Sequence, residues 1–525
     1  MKRKTLTTAV LAGIGGVAGI ANISGAVNLN PDGLGQVLIY PFYTVNGGND
    51  TLVSVVNTTN EVKAVKVRFL ESKNSREVLD FNLYLSPFDV WVGAATSTGD
   101  TGAAVLVVPD GEDSCTVPAI TGPVPFTNLL LTERNAANTA FIDNSIERTR
   151  EGYIEMIEMG VVEEDADLVK TGLEAAAIHT PRGTVPANCG ALVAAWSTGG
   201  IWLQDEDTDV LAPTGGLFGG GSVINVFGGY QASYTADAIE GFYNPINGDA
   251  SVTAAVRNTL HSQPGDTNPT LLQTDTTNQT GDPSVDRSFV FDSDRVVTSD
   301  WSRAGVPDAV TATFMRDFIY NEYAIETALL GATEWVATFP TKRFYVDPAI
   351  AGTTAINPFT NQFGVVDGIG ACEFVALDFF DREEDTTFVV DEPVFSPAPV
   401  TLPNVPFLCF EAQVISFGEP GTGFFGTAPS TLLGSPNSQN IPVETEGFES
   451  GWAQIGFAPA DVALGLGTAH TMTSDDGDVY NGLPVTGFSV QVVRNGTLTD
   501  EAGNNVLSNY AGLFGHRSSR DIIGS

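Results

Sequence analysis

A chain of 525 residues with 42% hydrophobic and only 17% charged residues has the material for a sizeable core, which excludes a disordered polyanion despite a formal net charge of −39. Such a charge repels phosphate backbones and anionic membrane surfaces and attracts dissolved cations, so nucleic acid is excluded as a partner. The length sets a prior of roughly two to three domains.

The chain opens on Lys2-Arg3-Lys4, followed by a mostly apolar run from Ala9 to Ala21 that is too short to span a bilayer as a stable helix. Ser24-Gly25-Ala26 then sets small residues before a cut, which predicts a signal peptide over 1–26 with Val27 as the mature terminus. Gly13, Gly15, Gly16 and Gly19 weigh against a retained anchor, and no cysteine follows the run to carry a lipid. No integral membrane span is expected, and cleavage removes three positive charges, taking the formal charge from −39 to −42. The expected location is periplasm, cell surface or medium.

Leu52 to Val56, Val65 to Phe69 and Leu79 to Leu85 are short runs parted by polar connections. Val65, Val67 and Phe69 alternate with Lys66 and Arg68, while Phe81, Leu83 and Leu85 alternate with Asp80, Asn82 and Tyr84; this period of two predicts strands with one apolar face. Lys66 and Arg68 are then placed to face Asp80 from a neighbouring strand. The predicted fold is mainly β, with an immunoglobulin-like β-sandwich over 27–122, a helix-containing segment over 123–211 and a larger β-rich region over 212–525.

Within the middle segment, Asp165 to Ala177 is the better helical candidate, and the periodicity of Tyr153 to Met159 does not decide between helix and strand. Gly228-Gly229, between Ser222–Phe227 and Tyr230–Tyr234, suits a two-residue hairpin turn. The Pro, Thr, Asn, Asp and Gly-rich stretch 261–288 predicts a long exposed loop. A helix is expected over Asp317 to Leu330, a strand near Trp335 to Phe339, and a strand through Phe488, Val490 and Val492 that ends at Asn495-Gly496.

Cys115, Cys189, Cys372 and Cys409 form an even set in an exported chain. Of three possible connectivities the sequential one, Cys115 with Cys189 and Cys372 with Cys409, is the simplest, and each such bridge contributes about 4 kcal/mol in the chain-entropy picture.

The runs Gly35-Gln-Val-Leu-Ile-Tyr-Pro-Phe-Tyr-Thr-Val-Asn, Ser75-Arg-Glu-Val-Leu-Asp-Phe-Asn-Leu-Tyr-Leu-Ser-Pro and Trp335-Val-Ala-Thr-Phe-Pro-Thr-Lys-Arg-Phe-Tyr-Val-Asp resemble those of uncharacterised exported proteobacterial proteins. The resemblance extends over most of the mature chain. It implies a Gram-negative exporter and transfers no activity or catalytic residue.

His179, His261, His470 and His516 are scattered singly, with no His-Glu-x-x-His, no Gly-x-Ser-x-Gly and no phosphate-cradling glycine loop. No catalytic residue is assigned. Two acidic runs, Asp205, Asp207 and Asp209 in one and Asp475, Asp476 and Asp478 in the other, offer closely spaced oxygens of the kind Ca²⁺ takes, against the plainer reading of solvated turns. Trp335, Lys342 and Arg343 place an aromatic face beside cations, a workable platform for a sugar or an anion, against the plainer reading of a strand with locally paired bases. The cofactor expectation is none, or calcium.

These features favour an exported structural or adhesive protein of the cell envelope or extracellular space, without catalysis and able to self-associate or join other envelope components. The alternatives are a secreted polysaccharide-acting hydrolase and an extracytoplasmic ligand-binding protein.

Overall fold

The alternating run around Val65 does form a strand, Val62–Glu71, but both faces of that strand are buried. The computed structural model describes residues 25–134, 139–140, 142–163, 171–180, 185–245, 259–293, 295–352, 354–363, 370–384, 407–418, 427–428, 430–441, 443, 447–457 and 470–524. The expected signal peptide therefore falls almost wholly outside the described residues.

Val62–Glu71 belongs to a sheet ordered Asn28–Leu29, Asp237–Glu240, Val37–Thr44, Glu151–Val162, Val62–Glu71, Glu77–Leu85 and Cys115–Val117. A second sheet runs Tyr230–Thr235, Leu217–Asn225, Asn49–Asn57, Val90–Ser97, Ala104–Val107 and Val124–Pro125. Leu38, Tyr40, Val65, Val67 and Ile154 of the first meet Val53, Val55, Trp91 and Val223 of the second in one core. The predicted boundaries at 122 and 211 are thereby corrected. They cut through this sandwich, because Glu151–Val162 lies between Val37–Thr44 and Val62–Glu71 and pairs with both.

The polar side of the alternation does not reach water. Lys66 reaches diagonally to Asp80 at 2.8 Å, while Arg68, the residue directly opposite Asp80 in register, turns to Glu77 at 2.8 Å and Glu155 at 2.7 Å. Asn82 and Lys66 donate to the carbonyls of Ser262 and Gln263, and Trp202 of the short helix Ile201–Gln204 stacks on Tyr84 at 5.3 Å. The stretch 261–288 is thus a cover over this sheet and not an exposed loop: His261, Leu271 and Thr276 are buried, and it holds the short helices Leu271–Gln273 and Thr277–Thr280. Burying these charges is tolerated because each finds a partner.

Other local readings change for physical reasons. Of Asp165 to Ala177, residues 165–170 lie outside the described residues and Leu173–Ala177 is helical. The region expected as a helix over Asp317 to Leu330 contains strand Phe318–Ala324, which turns Ile319 and Tyr323 into the core. Asn225 pairs with Tyr230, so four residues, not two, connect that hairpin. Strand Thr486–Thr499 passes through Asn495-Gly496 with a shift of register between Arg494 and Thr497, and the chain turns at Asp500, whose carboxylate accepts from the Asn504 N–H at 2.8 Å.

Beyond the sandwich, a six-stranded sheet runs Thr427–Ala428, Ser438–Ile441, Ala412–Phe417, Ala332–Thr338, Thr486–Thr499 and Asn505–Gly515. Its Trp335, Ile415 and Phe417 share a core with Ile319, Tyr323, Phe379 and Ile455 of a four-stranded sheet ordered Ala376–Asp381, Ser450–Gly456, Phe318–Ala324 and Arg517–Ser519. Its other face seats Val336, Val414, Phe488 and Val490 against the sandwich, where Tyr234 stacks on Phe488 at 5.1 Å and Thr338 Oγ1 donates to the Pro41 carbonyl at 2.6 Å. Buried Glu334 accepts from three successive backbone N–H groups, those of Thr431, Leu432 and Leu433, fixing the loop that meets the sandwich. The expected disulfides are both present, Cys115–Cys189 and Cys372–Cys409. No helix among the described residues is long and apolar enough to cross a membrane.

Candidate functional site

The smaller sandwich sheet turns one face to the core and leaves the other open. Alternation along Asn49–Asn57 sends Val53 and Val55 inward and Leu52, Ser54 and Val56 outward. Register then sets Leu52 beside Ser222 on one side and Ala94 on the other, Ser54 beside Gly220 and Val92, and Val56 beside Phe218 and Val90. Leu52, Val90 and Phe218 are 43%, 49% and 42% exposed, and the hairpin between Leu217–Asn225 and Tyr230–Thr235 carries Phe227 at 94%.

Gly219-Gly220-Gly221 shape this face. A Cβ at Gly219 would stand 2.1 Å from Tyr40 Oη, and one at Gly221 2.3 Å from the Tyr234 ring, so both positions need hydrogen for the sheet to lie against its aromatic supports. The result is a groove of about 570 Å³ over Leu52, Ser54, Val92, Ala94, Ser222 and Ser233 that has no charged side chain in its lining. In a chain of net charge −39 such a surface is the exception. An uncharged face with exposed Leu52, Val90 and Phe218 around it is suited to contact with another molecule.

The residues singled out from the sequence lie elsewhere. Trp335 and Lys342 are fully buried, which corrects the ligand platform: Trp335 packs on Phe417, and Lys342 donates to the Cys409 carbonyl at 3.0 Å from within a short helix, Lys342–Val346. Arg343 donates to the Ser75 carbonyl at 3.1 Å and so serves the junction between sheets.

The two acidic runs are also drawn into protein contacts. Asp209 accepts from Thr171 Oγ1 at 2.6 Å and Asp207 from Thr259 Oγ1, while Asp205 is exposed. Asp476 accepts from the Asp300 N–H at 2.9 Å and Asp478 from Ser299 Oγ at 2.8 Å; Asp475 donates its own N–H to the Asp300 carbonyl. Among the described residues no group of three or more Asp, Glu, His or Cys side chains gathers as a metal would require.

Of the four histidines, His179 has the arrangement nearest to a catalytic one, with Nδ1 2.6 Å from Ser86 Oγ and Nε2 3.0 Å from Asp113. Acyl transfer also needs N–H donors for an oxyanion. The Ser86 N–H is engaged by Asp89 at 3.0 Å, the next residue is Pro87, which has none, and the Phe88 N–H goes to the Thr59 carbonyl. This set therefore braces the turn after Glu77–Leu85.

Sequence reasoning missed the open face because its residues are ordinary singly. The signal was available in Leu52, Ser54, Val56, Val90, Val92 and Ala94, outward positions that are apolar or small where a solvated strand would carry charges; only Asp50, at the start of its strand, is charged. No family model, curated protein or solved structure matches the chain.

Proposed function

We propose that this is an exported structural or adhesive protein of the cell envelope or extracellular space that carries out no catalysis and joins further copies through the open face of its smaller sandwich sheet. The observation that carries this reading is the uncharged groove around Leu52 and Gly220 on an otherwise strongly acidic molecule. Like-charged molecules repel over most of their surface, so contact concentrates where charge is lowest and apolar area is exposed. The basic start and apolar run of residues 2–21, together with two disulfides, support placement outside the cytoplasm.

Sedimentation velocity and electron microscopy over a concentration series test it. The parent protein is expected to form concentration-dependent oligomers, and Leu52→Lys with Phe218→Asp is expected to leave a monomer with unchanged circular dichroism. A parent that stays monomeric up to its solubility limit refutes the reading. Fractionation that finds the mature protein in the cytoplasm refutes the placement.

A further inference from the structure

A second exposed face, on the four-stranded sheet, has a different chemistry. Register across three strands sets Phe380, Trp452 and Glu322 in one row, and Asp378, Gln454 and Tyr320 in the next row two residues along. Because successive side chains alternate, both rows look out from the same face, while Ile319, Tyr323, Phe379 and Ile455 fill the core behind them. Trp452 lies flat on Phe380 with ring centroids 4.5 Å apart and planes 14° from parallel, yet remains 41% exposed. A stacked indole held by a second ring is a fixed flat surface.

Trp452 and Glu322 form the shared wall of two adjoining cavities. One, of about 700 Å³, runs over Tyr320, Asn321 and Phe514; the other, of about 610 Å³, runs over Glu326, Asp381 and Gln491. The ridge is braced from below: Trp335 Nε1 and Gln491 Nε2 both donate to the Glu322 carbonyl, at 3.4 and 3.1 Å. Hydrogen-bonding groups beside it are already oriented, with Gln454 Nε2 on Asp378 at 2.8 Å and Asn321 Nδ2 on the Phe514 carbonyl at 3.2 Å. Glu322, Glu326, Asp381 and Glu384 outnumber Arg382 and Arg517 in the two linings.

We infer that this face binds a neutral polysaccharide, with one sugar ring lying on Trp452 and its neighbours in the chain occupying the cavities on either side. The apolar C–H face of a pyranose packs on an exposed indole as aliphatic and cationic groups do, and its hydroxyls need the carboxylate and amide partners that Glu322, Asp381, Gln454 and Asn321 provide. The acidic majority in the linings rejects uronate, sulfate and phosphate polymers, since like charge brought into contact costs affinity. Two cavities continuing away from one ring fit the interior of a chain. This site lies on another sheet from the open face around Leu52, and the two are independent.

Affinity electrophoresis of the full chain in gels containing hydroxyethylcellulose, xylan or galactomannan tests the inference, with alginate and polygalacturonate as the anionic arm. The expected result is retardation by at least one neutral polymer, weakened tenfold or more by Trp452→Ala, unchanged by Leu52→Lys, and competed by a hexasaccharide of that polymer far better than by its monosaccharide. Circular dichroism of Trp452→Ala confirms that the variant is folded; Trp452→Phe, which keeps a flat ring, is expected to retain most of the binding. The inference is overturned if no neutral polymer retards the parent, if retardation survives Trp452→Ala, if alginate retards equally, or if the monosaccharide competes as well as the hexasaccharide.

Discussion

Ser75 Oγ donates to Glu411 Oε2 at 2.9 Å across 336 positions of sequence, tying the turn after Val62–Glu71 to the residue that precedes strand Ala412–Phe417. Tyr153 donates to Ser75 from the central strand of the sandwich, also at 2.9 Å, and the Ala412 N–H goes to the Ser72 carbonyl. Three chain segments meet in this one buried junction, so its protonation state belongs to the stability of the whole molecule.

Burial pushes the Glu411 carboxyl up to about 8, with Lys342, Ser75 and Arg343 opposing the shift. Its proton is held in the folded state well above the pH at which the unfolded chain releases it. Stability from this group is complete below about pH 4.5 and is lost as pH rises to about 8, a fall on the order of 3–5 kcal/mol. Glu411→Gln is expected to flatten the dependence of the denaturant midpoint on pH between 5 and 8. Parallel profiles for parent and variant would show that Glu411 titrates normally.

His261 gives the opposite slope. Enclosed by Tyr84, Trp196 and Trp202, its ring is held down to about 4 by burial, against the support of the Glu206 carbonyl. The neutral ring contributes stability fully above about pH 6.5, and that contribution drains away as pH falls to about 4, to the extent of about 3 kcal/mol. An NMR titration of the ring should find its midpoint near 4; a midpoint at 6.5 or above contradicts the enclosure.

Arg68 and Glu155 are direct cross-strand neighbours, bonded at 2.7 Å and almost wholly shielded from water. Arg68→Met leaves Glu155 and Glu77 with an uncompensated buried charge and is expected to cost about 3–5 kcal/mol. Adding Glu155→Leu and Glu77→Leu should recover much of that loss, because the interior then holds neither charge. Unfolding curves in which the triple variant is weaker than Arg68→Met would assign the charges a different role.

Gly219→Ala drives a methyl into Tyr40 Oη and the Ser54 carbonyl, which lie 2.1 and 2.3 Å from the ideal Cβ position. Tyr40 cannot yield freely, since its hydroxyl donates to that same carbonyl at 2.7 Å. The substitution is expected to destabilise by about 1–3 kcal/mol and to disturb the open face, read as a lower melting temperature together with altered association. A variant as stable as the parent would show that the two strands have room to part.

Strand identity was legible where the apolar period was clean, as at Val65, Val67 and Phe69, and the cysteine pairing was legible from order along the chain. Extent was not. Nothing local announces that Glu151–Val162, rich in Glu and Met and ambiguous in period, is the middle of a sheet begun a hundred residues earlier; its Glu155 and Glu158 are paid for by Arg68 and Lys63, partners visible only once the strands are side by side. Phe318–Ala324 reads as a helix for the same reason: Asn321 and Glu322 break the alternation in sequence, whereas in space Asn321 reaches the Phe514 carbonyl and Glu322 stands beside Trp452. The two surfaces argued to act were hidden because each is assembled from residues on several strands, and the platform sought at Trp335 proved to be the support beneath the Trp452 ridge.

The place of Glu151–Val162 between two earlier strands sets a timetable for the growing chain. Synthesis runs from the amino end, so Val37–Thr44 and Val62–Glu71 both exist, with facing edges unfilled, until roughly eighty further residues have appeared. A nascent molecule halted before Glu151 has Val62–Glu71 and Glu77–Leu85 to pair but lacks the strand that joins them to Val37–Thr44. Any helper that keeps this chain from clumping has its work during that interval, and a ribosome-stalled series ending on either side of residue 162 would show when the need for it ends.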